Sequence, residues 1–288
     1  MSTSGTSKTE QYKEAVRQDW TEGAAAWRKW NAQFVIQSRA ATETIVQAAQ
    51  LKPGMRVLDL ASGSGEPALT VAAAVGPDGR VTATDLVPQM LAVAEDIAKQ
   101  RGLINSDFQP ADAEALPFPD QTFDAVTCRF GVMFFPNVVQ GLREVRRVLK
   151  PDGRATFLAW GPLDQNPAFF TALGPFIKRA NLPPPDPDAP NPLRFAQAGS
   201  LSAAMEEARF RHVTEEQRTI AWPYPGPPEE AWESLREVGA PAFGRLMKAV
   251  PAEQLDVVIG EVVAGIRHYY DGQRVNFPAT VVLVSGTR

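Results

Sequence analysis

Apolar and polar positions follow two different rhythms along the chain. From Tyr12 to Gln50 the apolar residues recur at helical spacing, Trp20, Trp27 and Trp30 among them, which predicts two or three helices after a small, polar, frayed stretch over residues 1 to about 8. The period then changes. LKPGMRVLDLASGSG carries a Pro53-Gly54 turn, a short apolar strand over Val57 to Leu60 and a glycine-rich loop, and a helix follows over Ala68 to Val75. Pro77 to Arg80 is a turn, VTATD a second strand, and PQMLAVAEDIAKQRG a helix supported by the Glu95/Lys99 pair and stopped near Gly102.

The alternation continues with a strand near Asp107 to Gln109, an acidic loop over Asp112 to Asp120, and a strand over Phe123 to Arg129. A helix over Val138 to Leu149 ends at a KPDGR turn, and ATFLAW is a fifth strand. Strands alternating with helices require a parallel sheet covered on both faces, so the fold class is α/β, a doubly wound Rossmann-like sheet. Beyond Trp160 the rhythm breaks. Pro167 to Ala180, Leu201 to Ala208, Glu229 to Val238 and Glu253 to Asp271 read as helices, Val213 to Ala221 and FPATVVLVSG as strands, and the proline run from Pro183 to Leu193 as a stiff connector. Three parts result: an N-terminal helical lid over 1–50, the sheet core over 51–160, and over 161–288 a helical cover together with the last strands.

Composition narrows what such a fold does. A chain of 288 residues, 44% hydrophobic and 22% charged, with a net charge of −4, has no general attraction for phosphate backbones, so nucleic acid is not the expected partner. The single cysteine, Cys128, closes no disulfide within the chain and builds no thiolate metal site; no metal is expected. No stretch approaches the roughly 18 apolar residues of a membrane helix, and the N-terminus lacks an apolar signal core. The expected setting is cytoplasmic without stable membrane insertion; the oligomeric state is not written in the sequence.

The chemistry concentrates in VLDLASGSGEPA. The strand delivers Asp59, then opens into Gly63-Ser64-Gly65 immediately before a helix, where backbone can approach a ligand closely. Twenty residues beyond Gly65 the second strand ends in Asp85, placed to accept from the two hydroxyls of a ribose. The loop also satisfies the G-x-G-x-x-A form of a dinucleotide site, so a nicotinamide-dependent oxidoreductase is an alternative. Asp59 and Glu66 set negative charge where a pyrophosphate would lie, and favour instead a cofactor bearing an ammonium and a sulfonium.

In their order and spacing, VLDLASGSG, VTATD, ADAEALPFPDQTFDAV and REVRRVLKPDGR resemble class I S-adenosylmethionine-dependent methyltransferases, and within them the ubiquinone/menaquinone biosynthesis type, over about Leu51 to Trp160. The resemblance implies a seven-stranded sheet whose final strand runs antiparallel at its edge, and transfer of the methyl group of S-adenosylmethionine to a carbon, oxygen or nitrogen of a small apolar or aromatic molecule. It implies that Asp59, Ala61, Gly63 and Gly65 wrap the methionine part, Asp85 holds the ribose, Leu86 and Met90 flank adenine, Asp112 and Ala113 meet its amino edge, and Arg129 and Phe130 open the active site. The quinone enzymes carry a His-Trp pair ahead of the core, whereas DWTEGAAAWRKWN here contains no histidine.

Other candidates are read from the residues alone. Phe130, Met133 and Phe134 follow the fourth strand, where α/β sheets place their ligand crevice, and serve either as an apolar substrate wall or as packing. Trp30, with Trp20 and Trp27, is core or part of a lid over the substrate. His268, beside Tyr269 and Tyr270, is the better placed of the two histidines for a general base, His212 reading as a surface residue. A non-catalytic module that binds S-adenosylmethionine and works through a protein partner is the remaining alternative.

Overall fold

A computed structural model of the chain describes residues 7–180, 182, 186 and 188–288. The frayed stretch expected at the N-terminus and much of the start of the proline connector lie outside the described residues, at 1–6 and at 181, 183–185 and 187. α1 (Lys8–Gln37) begins at an N-cap in which the Ser7 hydroxyl accepts from the Glu10 N–H at 3.2 Å. α2 (Arg39–Ala48) follows after a break at Ser38.

The core then alternates: β1 (Arg56–Leu60), α3 (Ala68–Val75), β2 (Arg80–Asp85), α4 (Pro88–Gln100), β3 (Ser106–Pro110), β4 (Phe123–Arg129), α5 (Val138–Val148) and β5 (Leu149–Trp160). The expected KPDGR turn is absorbed into β5 as a looped-out segment. Phe123 pairs with Leu149 but Ala125 with Arg154, so the intervening residues leave the register, with Asp152 in the left-handed region. After α6 (Pro167–Ile177), α7 (Ser200–Glu207), β6 (Arg211–Pro225) and α8 (Pro228–Val238) comes α9 (Ala240–Ala249). The sequence pattern gave no sign of α9, because Pro241 and Gly244 mask its period. α10 (Leu255–Arg267) and β7 (Arg274–Thr287) complete the chain.

The seven strands lie in the order β3-β2-β1-β4-β5-β7-β6, the first five parallel and β7 antiparallel to both neighbours. The last strand is therefore antiparallel as expected, but it sits one place in from the edge. Burial explains the placement. From Ala279 to Gly286 β7 is buried without interruption, which demands cover on both faces and pairing on both sides, whereas β6 alternates and exposes Thr214 and Glu216, which suits an edge.

Helices cover both faces. α5 and α7 close one against Leu142, Val145, Phe157, Met205 and Phe210, while α2, α6, α8 and α10 close the other around Ile45, Phe176, Trp232, Val262 and Ile266. The chain leaves β1 toward β2 and β3, then returns to place β4 on its other side. That reversal opens a crevice at the carboxyl ends of β1 and β4.

Candidate active site

Two cavities meet in this crevice. The first, of ≈ 130 Å³, is bounded by the loop after β1, the ends of β2 and β4 and the segment after β3. The second, of ≈ 440 Å³, lies under α6, α8 and α9 and against β6. Trp20, Trp27, Phe34, Phe130 and Phe134 line both, so a molecule in one faces the other across a shared aromatic wall. α1 roofs the pair with one stripe at spacings of three, four and seven: Lys13, Val16, Trp20, Gly23, Trp27, Phe34 and Gln37.

The loop after β1 owes its shape to three residues in the left-handed region, Ala61 (φ 51°), Gly63 (φ 53°) and Gly65 (φ 116°). For Ala61 that conformation carries strain. Gly131 is the counterpart that permits it, because a Cβ there would stand 2.3 Å from the Cβ of Ala61. Gly65 does not face the cavity; a Cβ on it would meet Leu69 at 2.8 Å and Ala94 at 3.2 Å, so its role is to let the loop close on α3 and α4.

Asp85 lines the cavity and fastens the loop. One carboxylate oxygen accepts from the Gly63 N–H at 2.9 Å and the other from the Val87 N–H at 2.9 Å, while burial raises its pKa. Leu86 and Met90 stand beside it on the cavity wall. Asp59 lies beneath the loop. Its Oδ1 accepts from the Thr127 hydroxyl at 2.5 Å, its Oδ2 has no hydrogen-bond partner, and burial pushes the carboxyl up to about 7 against the pull of Thr127. A buried acceptor without a donor fits a ligand that brings a cationic donor to this end of the site.

Asp112 and Ala113 line the far wall, with Asp112 already engaged: its Oδ2 accepts from Lys13 Nζ of α1 at 2.7 Å, and the same ammonium reaches Glu114 at 3.1 Å. Lys13 carries no motif that marked it in the sequence; its place on the α1 stripe was the available signal. Glu66, counted on for negative charge, is neutralised. Arg101 pairs with it at 2.7 Å and the Thr70 hydroxyl donates to it at 2.6 Å, so its charge is compensated within the protein. Arg129 forms wall and brace at once. Its guanidinium donates to Ser38 O, Thr42 Oγ1 and Glu66 O, and burial lowers its pKa to about 10.

Five expected residues do not line the cavities: Asp59, beneath the loop, Gly65, turned toward α3 and α4, and three others. Met133 is fully buried among Leu142, Phe157 and their neighbours and is core. Trp30 turns away from the stripe and donates through Nε1 to Glu237 at 2.8 Å. His268 is exposed at the end of α10 with its Nδ1 2.9 Å from the Ala264 carbonyl, outside both cavities. Phe130 is brought in, in the left-handed region at φ 57° and stacked on Trp160 at 4.1 Å, and Phe134 sits edge-on to Trp20 at 5.5 Å. Trp222, Tyr224 and Phe243 complete the apolar wall. No group of three or more His, Cys, Asp or Glu side chains among the described residues is arranged to hold a metal ion, and no helix among them is long and apolar enough to cross a membrane.

Known proteins share this fold. The chain is 46% identical over 121 residues to a ubiquinone/menaquinone biosynthesis C-methyltransferase UbiE of Xanthomonas oryzae, an alignment covering 42% of this chain and 48% of that protein. The chain thus spans about half the length of the curated relatives it matches. The YcgJ protein of Bacillus subtilis superposes with a TM-score of 0.55 at 22% identity, over 86% of this chain and 97% of that one. Phosphoethanolamine N-methyltransferase 2 of Haemonchus contortus, in complex with S-adenosyl-L-methionine, superposes with a TM-score of 0.59 at 14% identity, over 100% of this chain and 61% of that one. Both superpositions speak for the fold. The model of the ubiE/COQ5 methyltransferase family matches residues 26–170, half of the chain, with Asp59, the glycine loop and Asp85 inside the match, and on that ground the chain belongs to the ubiE/COQ5 methyltransferase family.

Proposed function

We propose that this protein transfers a methyl group from S-adenosylmethionine to a small, largely apolar acceptor. The observation that carries the reading is the junction itself: a cavity edged by Asp85 and underlain by Asp59 opens, across Trp20, Trp27, Phe34, Phe130 and Phe134, into a larger cavity walled by aromatic side chains. S-adenosylmethionine supplies an electrophilic methyl group on a sulfonium, which the acceptor's electron pair takes as the carbon–sulfur bond breaks. Asp59 Oδ2 meets the ammonium of the amino-acid part, Asp85 the ribose hydroxyls, and Leu86 and Met90 the adenine faces. Asp112 reaches the adenine amino edge while shared with Lys13.

The aromatic junction excludes water and holds the two reactants in line, and such positioning alone supplies much of the rate of a displacement at an already activated carbon. No histidine faces the junction, so the reading does not depend on a general base. α1 acts as the lid, and α6, α8 and α9 as the substrate cover, over a core spanning 51–160. Calorimetric titration with S-adenosylhomocysteine tests the reading, with NADH as the control that shows no heat. Asp85→Ala weakens the binding by about 1.5–3 kcal/mol, the range for hydrogen bonds to a charged group. A folded sample that binds NADH and ignores S-adenosylhomocysteine overturns it.

A further inference from the structure

Resting on the methyl-transfer reading and sharpening its acceptor, we propose that Gln37 selects the substrate: its side-chain amide donates to an oxygen on an otherwise apolar molecule, and the cavity refuses a cationic amine in that place. Gln37 stands on the last turn of α1, is 3% exposed and lines the apolar cavity, yet its Nε2 has no hydrogen-bond partner. A buried donor left so costs about 1–3 kcal/mol, and an aliphatic residue on the same stripe would avoid the cost. Trp27, at the junction, repeats the pattern with a buried Nε1 that has no partner.

Three other polar groups of the cavity are already engaged. Asp19 is paired with Arg245 at 3.2 Å. The Asn166 amide is engaged at both ends, with Nδ2 on the carbonyls of Gly161, Pro162 and Thr280 and Oδ1 on the Thr280 N–H. The Tyr224 hydroxyl accepts from Trp222 Nε1, and burial raises its pKa, so it keeps its proton and is itself a donor. A carbonyl or hydroxyl oxygen entering this cavity satisfies donors that already exist. An ammonium brings further donors and an uncompensated charge into an apolar space.

Three probes with one bicyclic apolar body separate the possibilities: acetylnaphthalene offers a ketone oxygen, isopropylnaphthalene offers none, and naphthylethylamine offers an ammonium. Titrated by tryptophan fluorescence into the full chain, the ketone binds about tenfold tighter than the hydrocarbon, and the amine weakest. Gln37→Leu brings ketone and hydrocarbon level, and Gln37→Glu, which keeps the shape, reverses the order in favour of the amine. Equal binding of ketone and hydrocarbon by the native chain, or a ketone preference that survives in Gln37→Leu, overturns the proposal. If Gln37→Leu loses the native melting transition, Gln37→Met, closer in length and likewise without a donor, decides by the same criterion. S-adenosylhomocysteine titrated into the same samples reads the cofactor assignment separately, so that loss of its binding with the ketone preference intact counts against methyl transfer and not against Gln37.

Discussion

Lys13 on the roof helix and Asp112 on the far wall of the cofactor cavity are 2.7 Å apart, and Glu114 lies 3.1 Å from the same ammonium. The Lys13 side chain is 13% exposed and that of Glu114 8%, so solvent and salt screen this contact less than they screen the surface pairs of α1 such as Arg28 with Asp96. The pair closes α1 over the cavity. In Lys13→Ala, S-adenosylhomocysteine dissociates about five- to tenfold faster, equivalent to about 1–1.4 kcal/mol. Stopped-flow fluorescence of Trp20 and Trp27 reads the rate directly; an unchanged off-rate removes Lys13 from the closure.

Asp59 makes ligand binding and stability respond to pH in opposite directions. Burial raises its carboxyl to about 7, far above an unfolded aspartate at about 3.9, so the folded chain holds this proton more tightly than the unfolded chain. Its contribution to stability is complete below about pH 4 and is lost as the pH climbs toward 7. Asp59→Asn removes that loss, so its gain in Tm over the native chain is larger at pH 8 than at pH 5, by about 2–4 °C for each kcal/mol recovered. Calorimetric scans at the two pH values check the slope. Affinity for a ligand ammonium runs the other way, falling by up to about tenfold per pH unit below 7 in the native chain and staying flat in Asp59→Asn.

Arg129 couples the helical roof to the glycine loop. Its Nη1 donates to Ser38 O and Thr42 Oγ1 and its Nη2 to Glu66 O at 2.8 Å, with the Phe34 and Phe130 rings 5.5 and 5.8 Å from the guanidinium carbon. Arg129→Met strands those acceptors in an apolar space and costs about 3 kcal/mol or more. Arg129→Lys recovers only part, since an ammonium cannot reproduce the planar fork. The midpoint of urea unfolding, followed at constant slope, measures both.

Gly23 keeps part of the larger cavity open. It is buried on the α1 stripe beside the larger cavity, and a Cβ there would lie 3.6 Å from the Trp27 ring, an ordinary contact. Gly23→Ala therefore gains about 0.5–1 kcal/mol of stability through helix propensity. Gly23→Leu extends into the cavity and lowers acceptor turnover at least about tenfold (~1.4 kcal/mol), with S-adenosylhomocysteine affinity kept. Parallel activity and calorimetric measurements separate the two effects.

Local pattern along the chain was enough to place the sheet and the glycine-loop side of the crevice. Val57 to Leu60, the Gly63-Ser64-Gly65 turn, the helix at Ala68 and the strand ending at Asp85 are contiguous and follow from local periodicity and turn chemistry, so their mutual placement was legible. The antiparallel sense of the last strand was legible too, through the family resemblance. That β7 lies inside β6 emerges from the packed fold alone, since strand position depends on which face each neighbour covers. The same holds for Met133 as core, for Trp30 and His268 as outward-facing, and for Lys13, Gly131 and Gln37 as parts of the site. Their roles come from contacts such as Lys13 with Asp112 across 99 positions of chain, and no local pattern records which face of a helix a distant loop will meet.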